Sequence, residues 1–232
     1  MKTIGLIGGM SWESTVEYYR LLNKTVHERL GGFHSAKCVL VSVDFSEIET
    51  LQNENRWDEA SQILAGAARQ LESAGAEVIF LCTNTMHKCA PAIESATSLP
   101  FIHIADAAAT AIKSQNLTKV GLLGTRFTMV DSFIKDRLAD SFGLSVLIPN
   151  QNEIEIIHKV IYEELVQGII LDTSRQTYLQ IINQLVARGA QGIILGCTEI
   201  GLLIRQSDSP VPVFDTTRIH ALSAVEFALE AG

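Results

Sequence analysis

The chain has 232 residues, room for one large domain or two small ones, and 47% are hydrophobic, as in a protein with a substantial core. A formal net charge of −8 argues against a nucleic-acid surface or an anionic membrane as partner, and no apolar run reaches the ~20 residues a membrane helix needs. The four cysteines (Cys38, Cys82, Cys89, Cys197) form no C-x-x-C pair and no zinc-spaced cluster with histidine, so they read as reduced thiols of a cytoplasmic chain without a metal site.

Residues 3–7 read as a buried first strand, not a signal peptide, and Gly8-Gly9-Met10-Ser11 as a tight turn. A helix is predicted over 14–30, where Val16, Tyr19, Leu22 and Val26 recur at helical spacing and Gly31-Gly32 stops the run. A second strand over 39–44 precedes a loop or short helix to residue 56. Asp58 is expected to cap the next helix, which runs to about residue 74 with Ile63, Ala67 and Leu71 inward. Residues 78–82 form the third strand and Thr83-Asn84-Thr85-Met86-His87 the turn after it. A short helix over 90–95, a fourth strand over 101–104 and a helix over 106–113 close the first half.

The second half opens with a strand at 119–123 and a turn at Gly124-Thr125. A helix over 129–142, a strand over 144–148, a helix from 150 to 165 and a longer one over 173–188 follow. A strand then runs to Gly196, another lies near Val213, and a last helix covers 217–229. Strands alternating with helices imply parallel sheets covered on both faces.

The two halves are copies. Gly75-Ala76-Glu77-Val78-Ile79-Phe80-Leu81-Cys82-Thr83 matches Gly189-Ala190-Gln191-Gly192-Ile193-Ile194-Leu195-Gly196-Cys197, 114 residues apart (189 − 75). In this register Thr83 falls on Cys197 and Cys82 on Gly196. Ile4-Gly5-Leu6-Ile7-Gly8 resembles Val120-Gly121-Leu122-Leu123-Gly124, Asp58 matches Asp172, and Leu99-Pro100-Phe101 resembles Val211-Pro212-Val213, all at nearly the same offset. A repeat of this kind decides the architecture. We expect two pseudo-symmetric α/β lobes, each a parallel sheet flanked by helices, with the active site in the cleft between them. The first lobe is expected over 1–115 and the second over 116–216, with the C-terminal helix 217–232 packing back on the first.

Cys197 stands where a buried strand ends and a helix begins, the edge at which open α/β sheets bind ligands. The helix amino terminus there should favour the thiolate. Opposed groups at the two strand ends suit removal of a proton from one face of a carbon and its return to the other. Asn84, Thr85 and Thr198 can hold a carboxylate and stabilise charge that spreads onto it. The bland reading of Cys197 is a small buried apolar residue, and it loses ground because a repeat copy stands opposite. Cys82 should face away from Thr83 into packing, and Cys38 and Cys89 read as structural. His87 reads as a catalytic acid or a helix cap, with a supporting role near the site preferred. Glu199 could bind a substrate ammonium, orient the thiol or complement the helix dipole. Asp44 and Asp215 end strands at the same rim and read equally as loop caps. Arg126 is a weaker anion-binding candidate.

Thr83-Asn84-Thr85-Met86-His87 and Gly196-Cys197-Thr198-Glu199 resemble the two hallmark motifs, C-N-T-x-H and G-C-T-E, of the cofactor-independent aspartate/glutamate racemase superfamily. The opening Gly5-Leu6-Ile7-Gly8-Gly9-Met10-Ser11-Trp12-Glu13-Ser14-Thr15, with Leu123-Gly124-Thr125-Arg126-x-Thr128-Met129 and Phe214-Asp215-Thr216, is similar to its aspartate racemase branch, and above all to the L-aspartate/glutamate-specific racemases. The resemblance spans nearly the whole chain. It implies an isomerase that needs no cofactor and no metal, acts on an acidic amino acid, and forms a cytoplasmic homodimer. It also implies that Cys197 takes the α-proton of the L-enantiomer and that Thr83, which replaces the family's first cysteine, stands on the opposite face. Met10, Gln52, Thr83, Asn84, Thr85, Cys197, Thr198 and Glu199 are then the substrate-binding candidates. Gln52 is the candidate for the substrate side chain, because Tyr162-Glu163-Glu164-Leu165-Val166 lacks the basic residue some members carry there. The alternatives are a one-thiol decarboxylase or isomerase of a small dicarboxylate, and an amino-acid-binding relative that has lost catalysis.

Overall fold

The structure, a computed structural model, describes residues 1–230. The chain divides into two compact units, Met1–Ile104 with the segment from His220 on, and Ala105–Ile219. No helix among the described residues is long and apolar enough to cross a membrane.

The first unit runs β1 (Ile4–Gly8), α1 (Trp12–Leu30), β2 (Cys38–Ser42), α2 (Phe45–Asn53), α3 (Trp57–Ser73), β3 (Val78–Leu81), a 3₁₀ turn (Thr85–Cys89) and α4 (Ala90–Ala96). Its three strands are parallel in the order β2-β1-β3. Alternate residues of β1 and β3 face opposite ways, as a pleated strand requires. Ile7, Ile79 and Leu81 join Leu64 and Leu71 of α3 in one core. Ile4, Leu6, Val78, Phe80 and Cys82 join Tyr18 and Leu22 of α1 in another. The chain leaves this unit along α5 (Ile104–Ser114) and comes back along α11 (Thr216–Leu229). Ala221, Ala224, Val225 and Ala228 of α11 belong to the second of these cores.

The second unit runs β4 (Lys119–Gly124), α6 (Arg126–Val130), α7 (Ser132–Phe142), β5 (Ser145–Leu147), α8 (Gln151–Glu163), α9 (Asp172–Ala187), β6 (Ile193–Gly196), α10 (Ile200–Leu203) and β7 (Val213–Asp215). These strands too are parallel, in the order β5-β4-β6-β7. Leu123, Ile193 and Leu195 pack against Ile157 and Ile161 of α8 and Tyr178, Ile182 and Leu185 of α9. Each such fully buried aliphatic side chain contributes about 1.5–3 kcal/mol.

The internal repeat shows in matching backbone bonds. Ile79 N–H donates to Pro100 O, and Ile193 N–H to Pro212 O, both at 2.8 Å. Glu77 N–H donates to Thr3 O and Gln191 N–H to Lys119 O, again both at 2.8 Å. Gly75 and Gly189 share a positive φ, 84° and 95°. The order β5-β4-β6 repeats β2-β1-β3, and β7 extends the second sheet by one strand.

The structure corrects four local expectations. The fourth strand of the first half, expected over 101–104, is a single bridge between Phe101 and Ile79, because α5 already begins at Ile104. Val16 and Tyr19 are exposed, while α1 buries Tyr18, Leu21, Leu22, Thr25 and Val26. Three-residue steps from 16 to 19 to 22 drift round a helix of 3.6 residues per turn, so only the last lies on the inner face. Asp58 does not cap α3: Arg56 holds that position and Asp58 lies in the first turn, where its charge meets the dipole. The helix expected over 129–142 is two helices, since Asp131 is extended between α6 and α7. Of the two forms expected up to residue 56, loop or short helix, the helix is the one present, and Asp44 caps it by accepting from Ser46 N–H.

The turn after β1 has little room. Gly9 has φ +96°, and a Cβ there would lie 2.2 Å from the Val43 carbonyl oxygen. Gly9→Ala is expected to cost about 3 kcal/mol or more, combining backbone strain with a clash the sheet cannot relieve. Thermal unfolding followed by circular dichroism should show a midpoint roughly 6–12 °C lower; an unchanged midpoint would refute the account of this turn.

Candidate active site

In each unit the strand order reverses beside the central strand, and the crevice at the carboxyl ends of the two strands flanking that reversal is where such sheets bind ligands. In the first unit these strands are β1 and β3, paired through Ile7 and Leu81. The turns leaving them carry Met10 and Thr83. Met10 is buried, and its turn is stitched by Thr15, whose hydroxyl accepts from Gly9 N–H at 2.8 Å and donates to Ser11 O at 3.1 Å. Thr83, Asn84 and Thr85 are each less than a tenth exposed. His87 closes their turn, its Nδ1 2.7 Å from the Thr83 carbonyl oxygen. Gln52 reaches this turn from α2: it is 4% exposed and its amide donates to Met86 Sδ at 2.8 Å. A thioether is a weak acceptor, so this carboxamide is not committed to a strong partner through that bond.

In the second unit the crevice lies beside β4 and β6, paired through Gly124 and Gly196. Cys197 follows Gly196 and is 8% exposed. Its Sγ donates to Glu199 Oε2 at 2.9 Å. The thiol is pushed well above its ordinary range, first by burial and next by the Glu199 carboxylate. The backbone amides of Thr198 and Glu199 act the other way, as the start of α10 was expected to do, but they are outweighed. Sγ thus stands between a carboxylate that holds its proton and a helix start that favours the thiolate, as expected, but is outweighed. Glu199 also follows two residues after the thiol on a chain just entering α10, which brings its carboxylate back to Sγ.

This pair yields a direct test. Glu199→Gln removes the carboxylate that holds the proton on sulfur, so Cys197 should ionise at lower pH. The pH midpoint of Cys197 alkylation by iodoacetamide, followed by peptide mass spectrometry, is expected to fall; a midpoint that stays or rises would contradict the role of the Glu199 charge.

The structure brings Met10, Gln52, Thr83, Asn84 and Thr85 to one edge of the first sheet, and Cys197, Thr198 and Glu199 to the corresponding edge of the second. Cys82 is fully buried among Tyr18 and Phe80, facing away from that edge. Asp44 caps α2, and Asp215 accepts from Arg218 N–H. Arg126 lies 3.5 Å from Glu155. Thr125 and Thr128, read from the sequence only as part of a turn and a family motif, are buried at the end of β4 with their hydroxyls 3.1 Å apart. Tyr178 is fully buried behind Cys197, near enough that the sulfur, after burial itself, disfavours its ionisation. Its helix gave no sign of this.

Residues 7–224 match the family model described as Asp/Glu/Hydantoin racemase. The chain belongs to that family. It is 55% identical, with a TM-score of 0.94, to the crystal structure of a Yersinia pestis protein assigned as an Asp/Glu racemase, over 99% of this chain and 100% of that one. It is 36% identical, with a TM-score of 0.86, to an aspartate racemase homologue from Pyrococcus horikoshii OT3, over 99% and 100%. A broad specificity amino-acid racemase from Bacillus subtilis (strain 168) is 26% identical over 175 residues, 72% of each chain. Family and neighbours together place the chain among the amino-acid racemases, enzymes of the isomerase class.

Proposed function

We propose that this racemase inverts the α-carbon of acidic amino acids, L-aspartate and L-glutamate, without a cofactor. The observation that carries the reading is the repeated strand end: the same topology and the same ladder bonds present Cys197 in one unit and Thr83 in the other. Cys197 is the base toward the L-enantiomer. Its proton passes to Glu199 Oε2, along the hydrogen bond already formed, and the thiolate then takes the α-proton. The positive ammonium of the substrate favours this ionisation. The electron pair left on the α-carbon spreads into the carboxylate, for which the hydroxyls and amides of Asn84, Thr85 and Thr198 supply donors. Thr83 gives its hydroxyl proton to the other face of the α-carbon, and the proton held on Glu199 returns through solvent to the Thr83 oxygen, which restores both groups. Gln52 meets the side-chain carboxylate, with Met10 beside it. A cytoplasmic homodimer belongs to the same proposal.

The test is α-proton exchange in D₂O with L-Asp, L-Glu and their D-forms, without added cofactor. Exchange from the L-forms supports the reading. Absence of exchange from all four, together with release of carbon dioxide from a malonate, would replace it with the one-thiol decarboxylase; binding of L-aspartate without any turnover would replace it with a binding protein.

A further inference from the structure

His87 is committed at both ring nitrogens. Nδ1 lies 2.7 Å from the Thr83 carbonyl oxygen, and Nε2 lies 3.1 Å from the Ile104 amide nitrogen. A carbonyl only accepts and a backbone N–H only donates, so Nδ1 carries the proton and Nε2 offers its lone pair. These partners fix a neutral ring in a single tautomer. The ring is 1% exposed and stands against His103 at 4.5 Å and His220 at 5.8 Å between centroids. His220 Nε2 donates to Ile102 O at 2.8 Å, and its Nδ1 lies 2.8 Å from the Tyr18 hydroxyl. Two buried imidazoles in contact thus hold the backbone at residues 83, 102 and 104.

Such a ring is poorly suited to proton transfer. It has no lone pair for a substrate proton unless it gives up the Ile104 amide, and no proton to donate unless it releases Thr83. What it does hold is the geometry of one short turn. The Nδ1 bond spans residues 83 to 87, and His87 N–H donates to Asn84 O at 3.1 Å inside it. Fixing the Thr83 carbonyl fixes the plane of the 83–84 peptide. That plane sets where the Thr83 hydroxyl points and how the Asn84 amide is aimed.

We propose that His87 is a positioning residue for the reprotonating face: through its Nδ1–H bond to the Thr83 carbonyl it aims the Thr83 hydroxyl, and it exchanges no proton with substrate. This rests on the racemase reading. The Nε2 bond serves a different end, anchoring the start of α5 and with it the orientation of the ring.

Two substitutions separate the bonds. His87→Asn places an amide N–H close to where Nδ1–H stands and leaves nothing at Nε2. His87→Gln reaches to the Nε2 position with an acceptor oxygen and leaves the Thr83 carbonyl without its donor. With both variants folded, as judged by circular dichroism, His87→Asn is expected to keep most of the wild-type kcat. His87→Gln is expected to lower kcat about 10–100-fold with KM little changed, because a misaimed group costs rate and not substrate affinity. Ring-nitrogen NMR on histidine-labelled wild-type protein is expected to show His87 neutral with its proton on Nδ1, a readout that needs no turnover. Wild-type exchange with full kcat in His87→Gln, or an ionised or Nε2-protonated ring, would overturn the proposal while leaving the racemase reading in place. A wild-type protein with no exchange on any of the four substrates would overturn the racemase reading itself and the positioning role of His87 with it.

Discussion

Cys197→Ser is expected to abolish racemisation and to stop α-proton exchange from L-Asp and L-Glu, a loss of about 10³-fold or more. An alcohol is a far weaker acid than a thiol, and its conjugate base is correspondingly hard to form at neutral pH. The loss should appear in both directions, since inversion needs both faces whichever enantiomer enters. Folding should survive. Serine is smaller than cysteine by little more than the difference between oxygen and sulfur, and its hydroxyl can still donate to Glu199, the partner Sγ has now. Exchange spectra and circular dichroism on the same preparation check both halves. Full activity in a folded Cys197→Ser protein would move the base elsewhere.

The second large effect runs the other way. Thr83→Cys should raise exchange from the D-enantiomers by about 10²–10⁴-fold, the usual worth of a well-matched acid or base. Thermodynamics sharpens this expectation. Two enantiomers free in water have equal free energy, so kcat/KM must be equal in the two directions in any variant. A gain in racemisation seen from D must therefore be matched in kcat/KM from L. In the native protein, by contrast, exchange from L should outrun inversion, because the thiol can remove and return a proton on its own face while Thr83 lags. Replacing Thr83 should close that gap. An unchanged ratio of exchange to inversion would show that hydroxyl acidity does not limit the Thr83 face. The replacement has room in the fold, since Cys197 occupies the equivalent place after β6, as Thr83 does after β3.

The strands are the most legible part of the chain. Buried parallel strands read as short apolar runs, and the duplicated Gly-Ala lead into β3 and β6 sets their register from the residues alone. The positions of Thr83 and Cys197 follow from that register. What stays hidden depends on side-chain reach and on where helices start. An acid two residues after a thiol is compatible with several roles, and only the direction of its side chain selects the bond from Sγ. The contact of Gln52 with Met86 joins residues 34 apart in sequence and on different elements. His87 shows how one misread element conceals another. With residues 101–104 taken as a strand, the Ile104 amide belongs to a ladder. Once α5 begins at Ile104, that amide needs an acceptor, and His87 Nε2 supplies it. The exposed Val16 and Tyr19 mislead for a simpler reason, the drift of three-residue spacing around the helix.

The discontinuous first unit has a consequence for synthesis. A ribosome delivers the chain amino end first, and domains ordinarily fold in that order. Here residues 105–219 emerge entire while the unit that began at Met1 still lacks α11, whose Ala221, Ala224, Val225 and Ala228 complete its second core. The half translated first is therefore the half finished last. A nascent chain arrested after Ile219 should hold a complete second unit and a first unit with the apolar faces of Tyr18, Leu22 and Phe80 uncovered where the rest of α11 belongs. Loss of the carboxyl-terminal helix should accordingly be felt most at the other end of the sequence.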